Sequence, residues 1–179
     1  METTELKVII TVCLQKKRDA QKLLYKTFYG FAMGICIRYS GNRDEAANIL
    51  NQGFIKVFVE LQHHESCNTF KSWLSKIMVN ASINYHGGNF QLSTFIERKT
   101  DLVIMNIDFA DYKLTYNELL GMIQQLSLES RIVFNLYAID SYSHENIAKM
   151  LNIDIDTSKA NLFNAREKLK NMISDERIL

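Results

Sequence analysis

The chain has 179 residues, enough for one large domain or two small ones, and its 47% hydrophobic and 23% charged content excludes wholesale disorder. A formal net charge of +1 excludes a free-standing protein that grips nucleic acid by bulk charge alone. Proline is absent where average usage predicts about nine, and only seven residues are glycine, so the sequence predicts an all-α fold.

The first apolar stripe, Leu6, Ile9, Ile10 and Cys13, predicts a helix over 5–15. Asp19 is placed to cap a second helix, whose stripe reads Leu23, Leu24, Phe28, Phe31, Ala32, Ile35 and Tyr39. Gly41 is placed to stop it. Asn42 and Glu45 have capping-box spacing for a third helix, which buries Ala46, Ile49, Leu50, Phe54, Val57, Phe58 and Leu61. The polar run His63–Thr69 has the composition of a loop. A fourth helix over Phe70–Tyr85 carries Phe70, Trp73, Leu74, Ile77 and Met78 on one side and ends at Gly87-Gly88. Periodicity is then lost until about Thr115, apart from a short helical turn expected around Leu102–Ile107. Four helical stretches follow, at about 116–125, 128–139, 143–150 and 157–173. A loop of that length is unusual inside one compact domain. The expected organisation is therefore two small helical domains, 1–86 and 116–179, joined by a linker over 87–115.

The second half contains a two-helix unit. Ser143 can cap its first helix, Ile147, Ala148 and Leu151 face inward, and Asn152 can take the left-handed conformation of a tight turn. Ile153 is expected to plug the core. The next helix is expected near Thr157 with Asp156 as its cap. Its outer face carries Ser158, Lys159, Asn161, Asn164, Arg166 and Lys168, and its inner face Leu162, Ala165 and Leu169. A polar, amide-rich second helix suits the DNA major groove. The same pattern also fits an ordinary helical hairpin with a solvated face.

Nothing in the chain points to catalysis. There is no Ser–His–Asp set, no GxGxxG and no P-loop. His63 and His64 are adjacent but read as part of a polar loop. Cys13, Cys36 and Cys67 lack the spacing of a zinc site, so no metal, cofactor or catalytic residue is expected. Neither a signal peptide nor a transmembrane helix is predicted, which points to a cytoplasmic protein with reduced thiols.

Both halves together resemble RNA polymerase sigma factors of the extracytoplasmic-function (ECF) type, with a Bacteroidetes-like phrasing. Leu24-Tyr25-Lys26 through Arg38-Tyr39, Asp44-Glu45-Ala46 through Gly53-Phe54-Ile55-Lys56-Val57-Phe58, and the helix Phe70-Lys71-Ser72-Trp73-Leu74 through Asn80 resemble sigma region 2. Leu126–Arg131, Val133–Tyr137, Tyr142-Ser143-His144, Ile147-Ala148 and Thr157-Ser158-Lys159 through Arg166 resemble region 4. The resemblance implies an alternative sigma factor, which is not an enzyme. It would bind core RNA polymerase, direct it to promoter DNA, and have an anti-sigma factor as a plausible further partner.

By that resemblance, polymerase docks on Asp44, Asn48, Asn51, Gln52 and Ile55. The family has an acidic residue at the position of Asn48, and usually a glutamine and an acidic residue at Asn51 and Gln52. Minus-ten binding and melting fall to Glu65, Ser66, Asn68, Lys71, Lys76, Asn80 and Asn84. Trp73 lies on the apolar stripe with Ile77 and reads as core, with base stacking as the other reading. Minus-thirty-five binding falls to Thr157, Ser158, Lys159, Asn161, Asn164 and Arg166, and Phe163 flanks them where it can meet thymine methyls or a neighbouring subunit. The charges missing at Asn48, Asn84, Gly87 and Asn164 motivate an alternative, a degenerate sigma-like protein that binds an anti-sigma factor or polymerase without melting promoters. A dimeric helix-turn-helix regulator leaves the first half without a role.

Overall fold

The computed structural model describes residues 3–64, 69–87 and 115–175. Among them it is all helical: α1 (Thr3–Leu14), α2 (Arg18–Tyr39), α3 (Arg43–Glu60), α4 (Phe70–Tyr85), α5 (Tyr116–Gln124), α6 (Leu128–Phe134), α7 (His144–Leu151) and α8 (Ile155–Asp175). A short 3₁₀ turn, Leu61–His63, follows α3. The expected turn at Leu102–Ile107, most of the proposed linker, and Glu65, Ser66, Cys67 and Asn68 lie outside the described residues.

In the first half α2, α3 and α4 pack on one another, and α1 packs on α2. Leu24, Phe28, Ala32, Ile35, Cys36 and Tyr39 of α2 are buried against Ile49, Leu50, Phe54 and Val57 of α3 and Leu74, Ile77 and Met78 of α4. Leu23 and Phe31, expected in the α2 stripe, are instead exposed at 49% and 38%. They stand on the edge of the helix, and Lys71 of α4 lies over the Phe31 ring at 5.7 Å. The close approach of α3 to α4 depends on Gly53. A Cβ there would stand 2.5 Å from the Met78 sulfur.

The caps explain where the helices begin and end. Asn42 accepts from the Glu45 amide, and Glu45 in turn accepts from the Gly41 amide at 2.6 Å. Thr69 caps α4, and Thr115 with Glu118 forms a full capping box on α5. Two expectations fail. Arg18 starts α2, with Lys17 at the cap position and Asp19 in the first turn. Gly41 is not a left-handed stop, because α2 ends on an extended Ser40. The left-handed glycine is Gly87, at φ +89°, just after α4.

In the second half α6 packs on α8 and α7 on α8. Ser143 caps α7, and Asn152 is left-handed (φ 54°, ψ 50°), as its sequence position predicts. Ile153 is half-buried rather than a full plug. The stretch expected as one helix over 128–139 is not uniform. After Phe134 it widens into a π-helical turn, Asn135–Ile139, in which the Asp140 amide donates to the Asn135 carbonyl at 2.9 Å. α8 starts at Ile155, so Asp156 lies in its first turn and does not cap it. The two halves are in contact, for α2 also touches α5 and α6.

Candidate functional site

The first candidate surface is the outer face of α3. Ala46, Ile49, Leu50, Gly53, Phe54 and Val57 face inward, so the opposite positions must face out. Asp44, Asn48, Asn51, Gln52 and Ile55 are all exposed, at the three- and four-residue spacing of one helical face. Asn51 accepts from the Tyr25 hydroxyl at 3.3 Å, which ties it to α2. Ile55 is 65% exposed, and Val59, one turn on, is 68% exposed. Two adjacent bare aliphatic residues beside a row of amides form a small apolar patch with a polar margin, the pattern of a protein-binding face. The sequence reading missed Val59, although its place four residues after Ile55 gives the signal.

The second candidate surface lies on α4. Lys71 is exposed, and Lys76 and Asn84 are half-buried. Asn80 is 5% exposed and turned into the bundle, so it does not face a strand as expected. It follows Ile77 by three residues and shares the inner face with it. Trp73 is half-buried, packed on Phe70 (centroids 5.5 Å apart) and edge-on to His64 (5.0 Å). Phe70 is itself buried on Phe28. Trp73 is thus the outer member of an aromatic cluster whose inner members belong to the core.

The third candidate surface is the N-terminal half of α8. Thr157, Lys159 and Asn164 are exposed, as expected. Ser158 is not. It is fully buried and sits 2.9 Å from His144 Nδ1, so it joins α8 to α7 instead of facing outward. Asn161 is half-buried and accepts from the Ser130 hydroxyl at 3.4 Å. Arg166 is half-buried with its guanidinium 5.9 Å from the Tyr137 ring centroid, and Tyr137 stacks on His144 at 4.5 Å. Lys159 pairs with Asp156 at 3.2 Å, and both are solvated, so the pair holds neither firmly. Phe163 is 63% exposed. The residues that α8 presents outward together are therefore Asp156, Thr157, Lys159, Ala160, Phe163 and Asn164, with Phe163 more central than the sequence placed it.

Charge states follow from burial. Burial lowers the His144 pKa, and the nearby Lys159 lowers it further. His144 is thus biased to the neutral form that shares a hydrogen bond with Ser158. Burial likewise lowers His86, which lies 3.2 Å from the Tyr39 carbonyl and 3.7 Å from Glu45. Burial, with Asp140 beside it, pushes the Tyr39 phenol well above its ordinary range, so it remains a donor. Burial pushes the Cys36 thiol up to about 12, which leaves it inert. Among the described residues no group of three or more metal-ligating side chains comes together.

Comparison with known proteins places these surfaces in a family. Residues 24–89 match the family model for sigma-70 region 2, and residues 116–169 match that for sigma-70, region 4. The chain is 22% identical over 171 residues to an ECF RNA polymerase sigma-E factor of Haemophilus influenzae, over 89% of this chain and 90% of that one. It is 28% identical over 153 residues to the ECF RNA polymerase sigma factor SigW of Bacillus subtilis, over 79% of this chain and 82% of that one. Among solved structures it is similar to CnrH in complex with the cytosolic domain of CnrY, at 18% identity and TM-score 0.46, covering 94% of this chain and 96% of that one. It is also similar to RpoE in complex with the anti-sigma factor NepR from Bartonella quintana, at 18% identity and TM-score 0.49, covering 86% and 96%. With both sigma regions present in order and together spanning about two thirds of its length, the chain belongs to the sigma-70 family and, within it, to the ECF type.

Proposed function

We propose that this chain is an alternative sigma factor that binds core RNA polymerase through α3 and reads the upstream promoter element with α8. Its two regions are 1–86 and 116–179, joined by 87–115, and it acts in the cytoplasm without chemistry of its own. The observation that carries the reading is the pairing, in one chain, of the two matched sigma regions, each with an exposed face on the helix that the role requires. On α3, Asp44, Asn48, Asn51, Gln52 and Ile55 meet polymerase, with Val59 extending the apolar part. On α4, Lys71, Lys76 and Asn84 lie toward the melted strand, and Glu65, Ser66 and Asn68, which precede α4 in sequence, share that role. On α8, Lys159 steers the helix to phosphates while Asn164 and Phe163 meet base edges. Among the described residues no helix is long and apolar enough to cross a membrane.

The uncharged row Asn48, Asn51 and Gln52 favours one other reading, a sigma-like protein that engages polymerase or an anti-sigma factor and does not melt DNA. Size-exclusion of the purified chain with core polymerase, repeated with Ile55→Glu, tests the proposal. Co-migration that Ile55→Glu abolishes supports docking through α3. Migration of the unmodified chain apart from polymerase overturns the sigma-factor reading.

A further inference from the structure

The chemistry of the outer face of α3 changes in one direction along the helix. Asp44, the one charge among its six exposed residues, stands in the first turn. Three amides, Asn48, Asn51 and Gln52, fill the middle. Ile55 and Val59 close it, 65% and 68% exposed. At ~100° per residue these positions fall within one side of the helix, opposite the buried Ala46, Ile49, Gly53 and Val57. Lys56 and Glu60 are half-buried and lie to the side. Phe58, half-buried three residues after Ile55, borders the aliphatic pair, and its ring centroid is 6.1 Å from that of the buried Phe54.

The free chain gains nothing from this pair. Isoleucine and valine are poorer helix formers than the lysine, glutamate or glutamine that a solvated position favours. Their apolar surface also stays in water. Yet both are well prepared for a partner. A β-branched side chain in a helix holds essentially one χ1 rotamer. The backbone beneath is anchored in the core by Leu50, Phe54 and Val57. The shape of the patch is therefore set before anything docks, and little side-chain entropy is lost when it does. The amides differ. Asn51 is already engaged by the Tyr25 hydroxyl. Asn48 and Gln52 are solvated, so a bond to a partner replaces a bond to water at small net gain.

We propose that Ile55 and Val59, and not the amide row, carry the binding energy of the polymerase contact, and that the polymerase surface facing them is an apolar recess, not a cluster of cations. This rests on the sigma-factor reading for the identity of the partner. The face supplies one carboxylate, at its far end, so a cationic partner surface would be left largely unpaired and desolvated. An uncharged recess pays no such cost. A contact made of ion pairs weakens as salt screens them, whereas an apolar contact does not. Docking through the Ile55–Val59 end is therefore nearly indifferent to ionic strength, and the amides act as a margin that excludes water around it.

The test is the dissociation constant of the full-length chain for core polymerase, without DNA, at about 0.1 M and about 0.5 M salt. Val59→Ser and Ile55→Ser each weaken binding about tenfold, by the same factor at both salts. Asn48→Ala and Gln52→Ala each weaken it less than about threefold. All four positions are solvated, so helical content by circular dichroism stays that of the unmodified chain. Val59→Thr keeps the branched shape and changes only its polarity, and it weakens binding in the same direction. Unchanged binding by both Val59 variants overturns the proposal. So do amide variants that cost more than the aliphatic ones, or a Val59→Ser loss that disappears at high salt. Each of these leaves the polymerase reading intact. No binding by the unmodified chain at either salt overturns that reading, and this proposal with it. Sedimentation of the chain alone covers the remaining occupant: a dimer that Val59→Ser dissociates makes the patch a contact between copies and overturns the proposal.

Discussion

Gly53→Ala is the perturbation whose magnitude the structure fixes most closely. Gly53 is buried in α3, where a helix-interior glycine costs about 1 kcal/mol relative to alanine. On propensity alone the substitution stabilises. The added methyl, however, would stand 2.5 Å from the Met78 sulfur and 2.9 Å from its methyl carbon. Ordinary contact needs more than an ångström of further separation. Met78 is fully buried and already within 3.9 Å of the Cys36 sulfur, so its end has little room to retreat. Overpacking of this kind costs about 1–3 kcal/mol. The net expectation is a loss of about 1 kcal/mol, or roughly 2–4 °C in Tm for a chain of this size. The assay is a double-mutant cycle by urea unfolding, with Gly53→Ala measured in the Met78 and Met78→Ala backgrounds. Met78→Ala alone costs about 2–5 kcal/mol. In that background Gly53→Ala becomes stabilising, and the sign reversal isolates the contact. Stabilisation by Gly53→Ala with Met78 present would show that α3 and α4 have room to spare and refute the reasoning.

Four further outcomes are expected. Asn164→Ala changes the base preferred at one or two upstream positions and costs about 1–3 kcal/mol on the preferred sequence, while Lys159→Ala weakens all sequences alike and flattens the salt dependence; selection of randomised upstream elements by holoenzyme at two salt concentrations separates them. Ser158→Ala lowers stability by about 1 kcal/mol in chemical unfolding and leaves the selected sequences unchanged, because Ser158 bonds His144 and not DNA. Asn48→Asp strengthens binding to core polymerase by about 1 kcal/mol in competition binding, since a carboxylate makes a stronger bond to an arginine than an amide does. Stability falls as pH drops below about 6.5, because His86 and His144 have folded pKa values lowered by burial while the unfolded chain takes up the protons. Their contribution is complete above the unfolded value and lost as pH falls through the folded one. Urea midpoints between pH 7.5 and 5.5 measure it, and His86→Gln reduces the slope.

The fold was legible because helical periodicity and caps agree along most of the chain. Asn42 with Glu45, Ser143 and the left-handed Asn152 act as their positions predict. The α2 start and the role of Gly41 were not legible, since alternative caps one residue away differ by little in energy. The α3 face was legible because burial of one side of an amphipathic helix leaves the other no choice. Ser158 and Asn80 were misplaced for a shared reason. Each is a small polar residue on the boundary of an apolar stripe, and a partner from another helix or the bundle interior decides its orientation. The contact between the two halves was illegible because Tyr39 and Asp140, which share a hydrogen bond across it, lie 101 residues apart, and the π-helical turn before Asp140 has no periodic signature. Phe163 was read as a flank because Ser158, Asn161 and Arg166 were placed on the outer face. With Ser158 and Leu162 buried and Asn161 and Arg166 half-buried, the exposed face shifts to Phe163, with Ala160 and Asn164.

The most direct test of the central claim is run-off transcription with purified core polymerase, the full-length chain and the promoter of its own gene. The account predicts transcripts from a defined start that require the chain and weaken with Ile55→Glu and Asn164→Ala. Stable binding to core polymerase with no transcript from that promoter, or from a library of randomised promoters, would contradict it.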